Sequence, residues 1–132
     1  MKYMMLMSST KAEFDAYVNW PREDLAESVS FMRSFAKELE DTGALVLTMG
    51  LGFPNEAKLV RAGADGDPVT DGVFPESKEF LAGFWIIDVE GPEEAYRIAA
   101  KASAGSPSLH KKYGSQPIEI RRLMDSAPQE WQ

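Results

Sequence analysis

Three segments of this chain are apolar at both odd and even positions, and that pattern narrows the architectures open to it. Lys2–Ser8 sets Tyr3, Met5 and Met7 against Met4 and Leu6. Residues 44–51 set Leu45, Leu47 and Met49 against Ala44 and Val46, and residues 80–90 set Phe84, Ile86 and Asp88 against Trp85, Ile87 and Val89. Successive side chains of a strand point to opposite faces, so a strand that is apolar on both parities is one buried on both faces. A sheet made of such strands needs cover on each side.

The stretches between them read as helices and turns. Residues 10–18 form a short helix with Phe14, Tyr17 and Val18 on one side. Pro21 opens a longer helix, because its missing N–H costs nothing in the first turn, and Glu23 and Asp24 suit the positive end of the helix dipole. Leu25, Val29, Met32, Ala36 and Leu39 recur at helical spacing as the apolar face, and Gly43 supplies a left-handed cap. Residues 57–62 and 69–71 are the arms of a hairpin around Asp65-Gly66. Gly91-Pro92 ends the third apolar strand and opens a helix to about Ser103, with Ala95, Ile98, Ala99 and Ala102 facing inward. Residues 104–116, rich in Ser, Gly, Lys and Pro, read as a long loop. Residues 118–123 form a last strand that alternates apolar and charged side chains at its start. The domain spans residues 1–124, and residues 125–132 form a tail, either mobile or docked through Trp131.

The order β, α, β, hairpin, β, α, β predicts an α+β fold, a ferredoxin-like split βαβ sheet with both helices on one face. Helices on one face leave the other uncovered, yet three strands are apolar on both sides. A second subunit packed sheet to sheet in a two-fold homodimer resolves the mismatch. The alternative cover is the hairpin and tail of the same chain.

Composition limits the partners. The 132 residues suit one domain, and 44% hydrophobic with 27% charged residues is the balance of a globular chain. A net charge of -7 with no basic run speaks against nucleic acid, which needs a Lys/Arg footprint, and against an anionic membrane surface. No apolar run reaches the roughly 20 residues of a membrane span. The absence of cysteine excludes disulfides and thiolate chemistry and fits a cytoplasmic protein. With a single histidine, no dedicated transition-metal site is expected, and no cofactor motif is present.

Candidate chemistry concentrates in residues 70–79, where Asp71, Glu76, Lys78 and Glu79 precede the third apolar strand. One carboxylate, Asp71 or Glu76, has the character of a general base, and Lys78 that of an anion-holding group. The competing reading is structural: Asp71-Gly72 makes a turn, Phe74 fills the core, and Glu76 pairs with Lys78. His110, the only histidine, is a reserve general base beside Lys111 and Lys112, or a solvated surface residue. Asp88 sits in an apolar strand and is a site candidate if buried, or an ion-pair partner at the strand end. Trp85, with Tyr17, Trp20 and Tyr96, lines an aromatic ligand pocket or simply packs in a core or interface.

The segment Asp71-Gly72-Val73-Phe74-Pro75-Glu76-Ser77-Lys78-Glu79, followed by Leu81-Ala82-Gly83-Phe84-Trp85-Ile86-Ile87-Asp88-Val89, resembles the YCII-related family. Within it the segment is similar to the branch named for its Asp-Gly-Pro-Phe motif. Met1-Lys2-Tyr3-Met4, Glu93-Glu94-Ala95 and Glu119-Ile120-Arg121 match the same layout. Val73 stands where that branch carries proline, which loosens the turn because proline fixes φ. The resemblance implies a dimeric α+β barrel of ferredoxin-like subunits. A related branch carries a catalytic His and Asp pair with an early histidine; this chain has none before residue 110, so the pair does not carry over. Association of some relatives with sigma factors implies regulation. The first reading is therefore a dimer that binds a small molecule near the sheet. The second is an enzyme moving protons on a small aromatic, lactone-like or anionic substrate. The third is a structural dimer within a larger assembly.

Overall fold

The computed structural model describes residues 1–71 and 78–132. β1 (Lys2–Thr10) leads into α1 (Lys11–Val18), α2 (Arg22–Asp41) and β2 (Leu45–Gly50). A short 3-10 turn at Pro54–Glu56 precedes the hairpin of β3 (Leu59–Ala62) and β4 (Pro68–Asp71). β5 (Glu79–Asp88), α3 (Pro92–Ala104), α4 (Pro107–Tyr113) and β6 (Ile118–Arg122) complete the domain.

Four strands form one antiparallel sheet in the order β2-β5-β1-β6, and β3 and β4 form a separate two-stranded sheet. Two β-α-β units therefore interleave, β1-α2-β2 and β5-α3-β6, each pair of parallel strands separated by a strand of the other unit. The β1–β5 register pairs Tyr3 with Ile87 and Met5 with Trp85, and on the opposite face Met4 with Ile86 and Leu6 with Phe84. The first four side chains are buried in the core under the helices, together with Phe35 and Leu39 of α2 and Ala95, Ala99 and Ala102 of α3. Ala95, Ala99 and Ala102 are buried, the inward face that the alanine spacing predicted.

Each end of these elements has a local cause. Thr10 and Glu13 form a reciprocal capping box, the Glu13 N–H donating to Thr10 Oγ1 and the Thr10 N–H to Glu13 Oε1, both at 3.2 Å. That box turns the chain from strand to helix with no intervening loop. Gly43, at φ 78°, closes α2 as expected. The hairpin also forms around Asp65-Gly66, where Asp65 Oδ1 accepts the Asp67 N–H at 3.0 Å.

Three expectations are corrected. Of the predicted stripe on α2, Leu39 is buried and Met32 packs against the core as expected, but Val29 is 45% exposed and Phe35, outside that stripe, is buried. The helix is rotated so that its largest side chains meet the sheet. Phe35 stands edge-on to Trp85 at 5.8 Å and stacks with Phe31 at 5.8 Å. β2 is not buried on both faces; it is an edge strand bulged at Val46, with Val46, Leu47 and Met49 exposed. The segment 104–116 is not a plain loop. Ser106 caps α4 by accepting the Leu109 N–H, Pro107 takes the first helical position, and Gly114, at φ 80°, ends the helix. The tail carries a 3-10 turn at Gln129–Trp131, and Trp131 is exposed. Among the described residues, no helix is long and apolar enough to cross a membrane.

Phe35→Ala should cost about 3–5 kcal/mol, seen as a lower urea midpoint with an unchanged slope. Val29→Ala should stay within about 0.5 kcal/mol. Equal costs would place the rotation of α2 in error.

Candidate functional site

The sheet register divides the sequence candidates between its two ends. Thr10 pairs with Glu79 at one end and Lys2 with Asp88 at the other. Lys78, just before β5, and α4 with His110 belong to the Thr10–Glu79 end, while Asp71 closes β4 of the separate two-stranded sheet. Asp88 lies at the far end, exposed, where its carboxylate accepts the Met1 amine at 3.2 Å beside a polar cleft of about 290 Å³. Trp85 lies at neither end; it is 5% exposed and packed against Phe35 in the core. Asp71 is exposed and meets Arg61 Nε across the hairpin at 3.8 Å, the geometry of a weak surface pair. His110 is on the exposed side of α4, and Lys78 is exposed. Glu76 lies outside the described residues.

What this end of the sheet does bring together is aromatic. β5 carries one residue more than β1 between the pairs Met7–Gly83 and Ser8–Leu81, so Ala82 is a bulge. A bulge re-aims the side chains beyond it. Phe80, by simple parity with Phe84 and Ile86, would face the open side; the bulge turns it to the helical side. There its ring stands edge-on to Phe14 of α1 at 6.0 Å, and Phe14 stands edge-on to Phe53 at 5.1 Å. Phe53 follows β2, whose ladder is extended by the Leu51 N–H donating to the Ala82 carbonyl at 2.9 Å. Phe53 remains 60% exposed, so this three-ring corner presents an aromatic wall to solvent. Lys78 sits two positions before Phe80.

A second cluster ties α4 to α2. Asp24, in the first turn of α2, is 4% exposed, the one charged residue that is buried among the described residues. Its Oδ2 accepts the Tyr113 hydroxyl at 2.6 Å, and Lys112 Nζ donates to Oδ1 at 3.1 Å. These two donors outweigh burial and hold the Asp24 carboxyl below its ordinary value. The same bond pushes the Tyr113 phenol up to about 12. Trp20 stacks on Tyr113 at 3.7 Å, Tyr17 stands edge-on to Trp20, and Ser108 Oγ donates to Glu27 at 2.6 Å. Tyr113 thus keeps its proton committed to a carboxylate that stays ionised. That is the behaviour of a strut, and proton transfer near neutral pH would have to use other groups. Of the aromatic set named from sequence, Tyr17 and Trp20 join this cluster, while Tyr96 is exposed.

Sequence reading missed both clusters. The signals were present: Phe14 lies on the helix it assigned, and Asp24 sits within a turn of apolar inward positions. Neither the bulge at Ala82 nor the helix at 107–113 was read from the sequence, and each cluster depends on one of them.

The strut gives a signed pH dependence. Its carboxylate contribution is present above the ordinary Asp value of 3.8 and is lost as pH falls through the lower folded value. Its phenol contribution is present below the ordinary Tyr value of 10.0 and is lost as pH rises toward about 12. Asp24→Asn should flatten the acid limb of a stability–pH curve. In a near-ultraviolet tyrosine titration the wild type should show one phenol ionising only near pH 12, a step that Tyr113→Phe removes; a titration left unchanged by Tyr113→Phe contradicts the strut.

Among curated proteins no match is found. The sequence does match the YCII-related domain over residues 1–114, from just before β1 through the whole of α4. That span covers every element described here except β6 and the tail, and the chain belongs to the YCII-related family.

Proposed function

We propose that this protein is a homodimer of ferredoxin-like subunits that binds a small aromatic anion at the Thr10–Glu79 end of its sheet, in a regulatory rather than a catalytic role. The observation that carries the ligand reading is the corner of Phe14, Phe53 and Phe80, whose outer ring is exposed, with Lys78 close by in sequence. Asp71, on the hairpin, is assigned to the rim of the site. The site would take one ring against Phe53 and set a carboxylate or phenolate toward Lys78.

The dimer reading is supported by the helix-free face of the sheet. Met4, Leu6, Phe84 and Ile86 line its centre, and Leu47 and Met49 of β2 continue it, Met49 being 57% exposed. Lys2, Asp88, Glu119 and Arg121 lie on the same face toward its edges. An apolar centre with a charged rim is the usual layout of a protein interface. The strand order and interleaved β-α-β units support the ferredoxin-like description. Lys78-Glu79 and Asp71 keep the spacing of the Asp-Gly-Pro-Phe branch, and the lack of cysteine favours the cytoplasm.

Thermal-shift measurements with small aromatic acids, phenols and lactones test the ligand. A true ligand at a hundred times its Kd should add about 2.7 kcal/mol of stability. Phe53→Ala and Lys78→Met should each weaken it at least about tenfold, the 1.4 kcal/mol scale of one good contact. Stabilisation that survives both changes moves the site elsewhere. Sedimentation at micromolar concentration tests the dimer: the wild type should run as two chains and Leu6→Glu as one, and a monomeric wild type sinks the sheet-to-sheet arrangement.

A further inference from the structure

The segment that carries α4 is joined to the fold in an unusual way. Gly105 stands at φ 67° and ψ -158°, and Gly114 at φ 80° and ψ -161°. That region of backbone space is reserved essentially for glycine. The two glycines bracket α4, so the helix has one glycine pivot at each end. Just outside them the chain closes on itself. The Gln116 N–H donates to the Ser103 carbonyl at 3.0 Å, and the Gln116 side-chain amide donates to the Ser8 carbonyl of β1 at 2.6 Å. A segment with its ends clamped together and a short helix as its body has the form of a flap.

What holds the flap down differs from what holds the core. Leu109 is the one buried residue of α4, and among the described residues it lies outside the main cluster of buried apolar side chains. The ties to α2 are polar: Tyr113 and Lys112 donate to Asp24, and Ser108 donates to Glu27. Trp20 stacked on Tyr113 adds an aromatic contact. Local opening is easiest where little apolar surface is buried and the released polar groups can bond to water instead. These ties join residues 108–113 to residues 20–27, whereas the Gln116 clamp joins other residues. Breaking the first set leaves the second in place.

We infer that residues 106–113 are a hinged flap. α4 swings away from α2 as one body about Gly105 and Gly114, the Gln116 clamp holds the base, and Asp24 is the latch. Opening bares the Asp24 carboxylate and the face of Trp20 that Tyr113 covers in the closed state. The strut that fixes α4 is therefore also its point of release. The flap depends on neither the ligand nor the dimer proposed above.

Native-state amide exchange, followed residue by residue, tests the flap. The His110 and Gly114 N–H groups are bonded to the Ser106 and His110 carbonyls at 2.9 and 2.8 Å. In the wild type these two amides should exchange together, roughly tenfold or more faster than Gln116 at the clamp and the amides of β5. Tyr113→Phe and Asp24→Asn should each speed both about tenfold, the scale of one lost bond to a carboxylate, and leave Gln116 and β5 within about threefold. Ser108→Ala, at the second carboxylate, should act in the same direction. If His110 and Gly114 exchange only as slowly as β5, or if the variants speed all these amides alike, α4 opens only with the whole fold and the flap is wrong. Gln116 exchanging in step with His110 also overturns it, because the segment then frays without a clamped base.

Discussion

Trp85 and Ile87 of β5 enter the helical layer, while Phe84 and Ile86, one residue away on the same strand, look out on the side where no helix lies. Most of the molecule answers to that asymmetry. The helical side holds the closed packing: Phe35 on Trp85, Met5 without solvent contact, and three alanines of α3 set close to the sheet. The free energy gained by burying each large apolar side chain is about 1.5–3 kcal/mol, and it is collected on one side only. The other side carries side chains of the same character, Met4, Leu6, Phe84 and Ile86, that are only half-buried among the described residues.

The Asp24 strut solves a different problem at the sheet's end. α4 has only seven residues, too few to hold its shape by its own hydrogen bonds. It is pinned instead by a capping serine, one buried leucine and a carboxylate reached by two donors from its last turn. Burying an ion is tolerated because both of its carboxylate oxygens are satisfied and because it sits at a helix N-terminus. The stacked pair Trp20–Tyr113 covers the phenol and joins α1's connection to the same unit. The ring corner of Phe14, Phe53 and Phe80 is similarly a meeting of three separate elements, so both clusters exist only once the tertiary fold is in place.

How much of this was legible beforehand follows from the range of each signal. Strand parity, the Pro and Gly stops, the alanine spacing of α3 and the Asp65-Gly66 turn are local, and they gave the element order and the sheet with its uncovered face. The rotation of α2 was not local: Val29 and Phe35 are both apolar, and only the facing Trp85 decides which turns inward. The bulge at Ala82 is likewise a property of a pair of strands, so the side that Phe80 takes could not be read from alternation along β5 alone. Ser106-Pro107 and Gly114 did mark the ends of α4, but the polar composition between them concealed the helix. Trp85 read equally well as ligand wall or core, and its neighbours make it core. The chemistry of Asp71, Lys78 and His110 was read from residue type alone; the fold sets Lys78 and His110 toward one end of the sheet, Asp71 on the separate hairpin, and Asp88 at the other end.

The strand order has a consequence for how the chain comes into being. β1 has β5 and β6 as neighbours, and β2 has β5 alone. A ribosome therefore delivers two apolar strands, 2–10 and 45–50, long before either has anything to pair with. Until residues 79–88 emerge, only helices and the 59–71 ribbon can form from local contacts. Long-range pairing of this kind is slow because the loop must close before any contact rewards it. Until β5 emerges the nascent chain thus carries apolar strands without their sheet partners, a stage at which chaperone binding matters most.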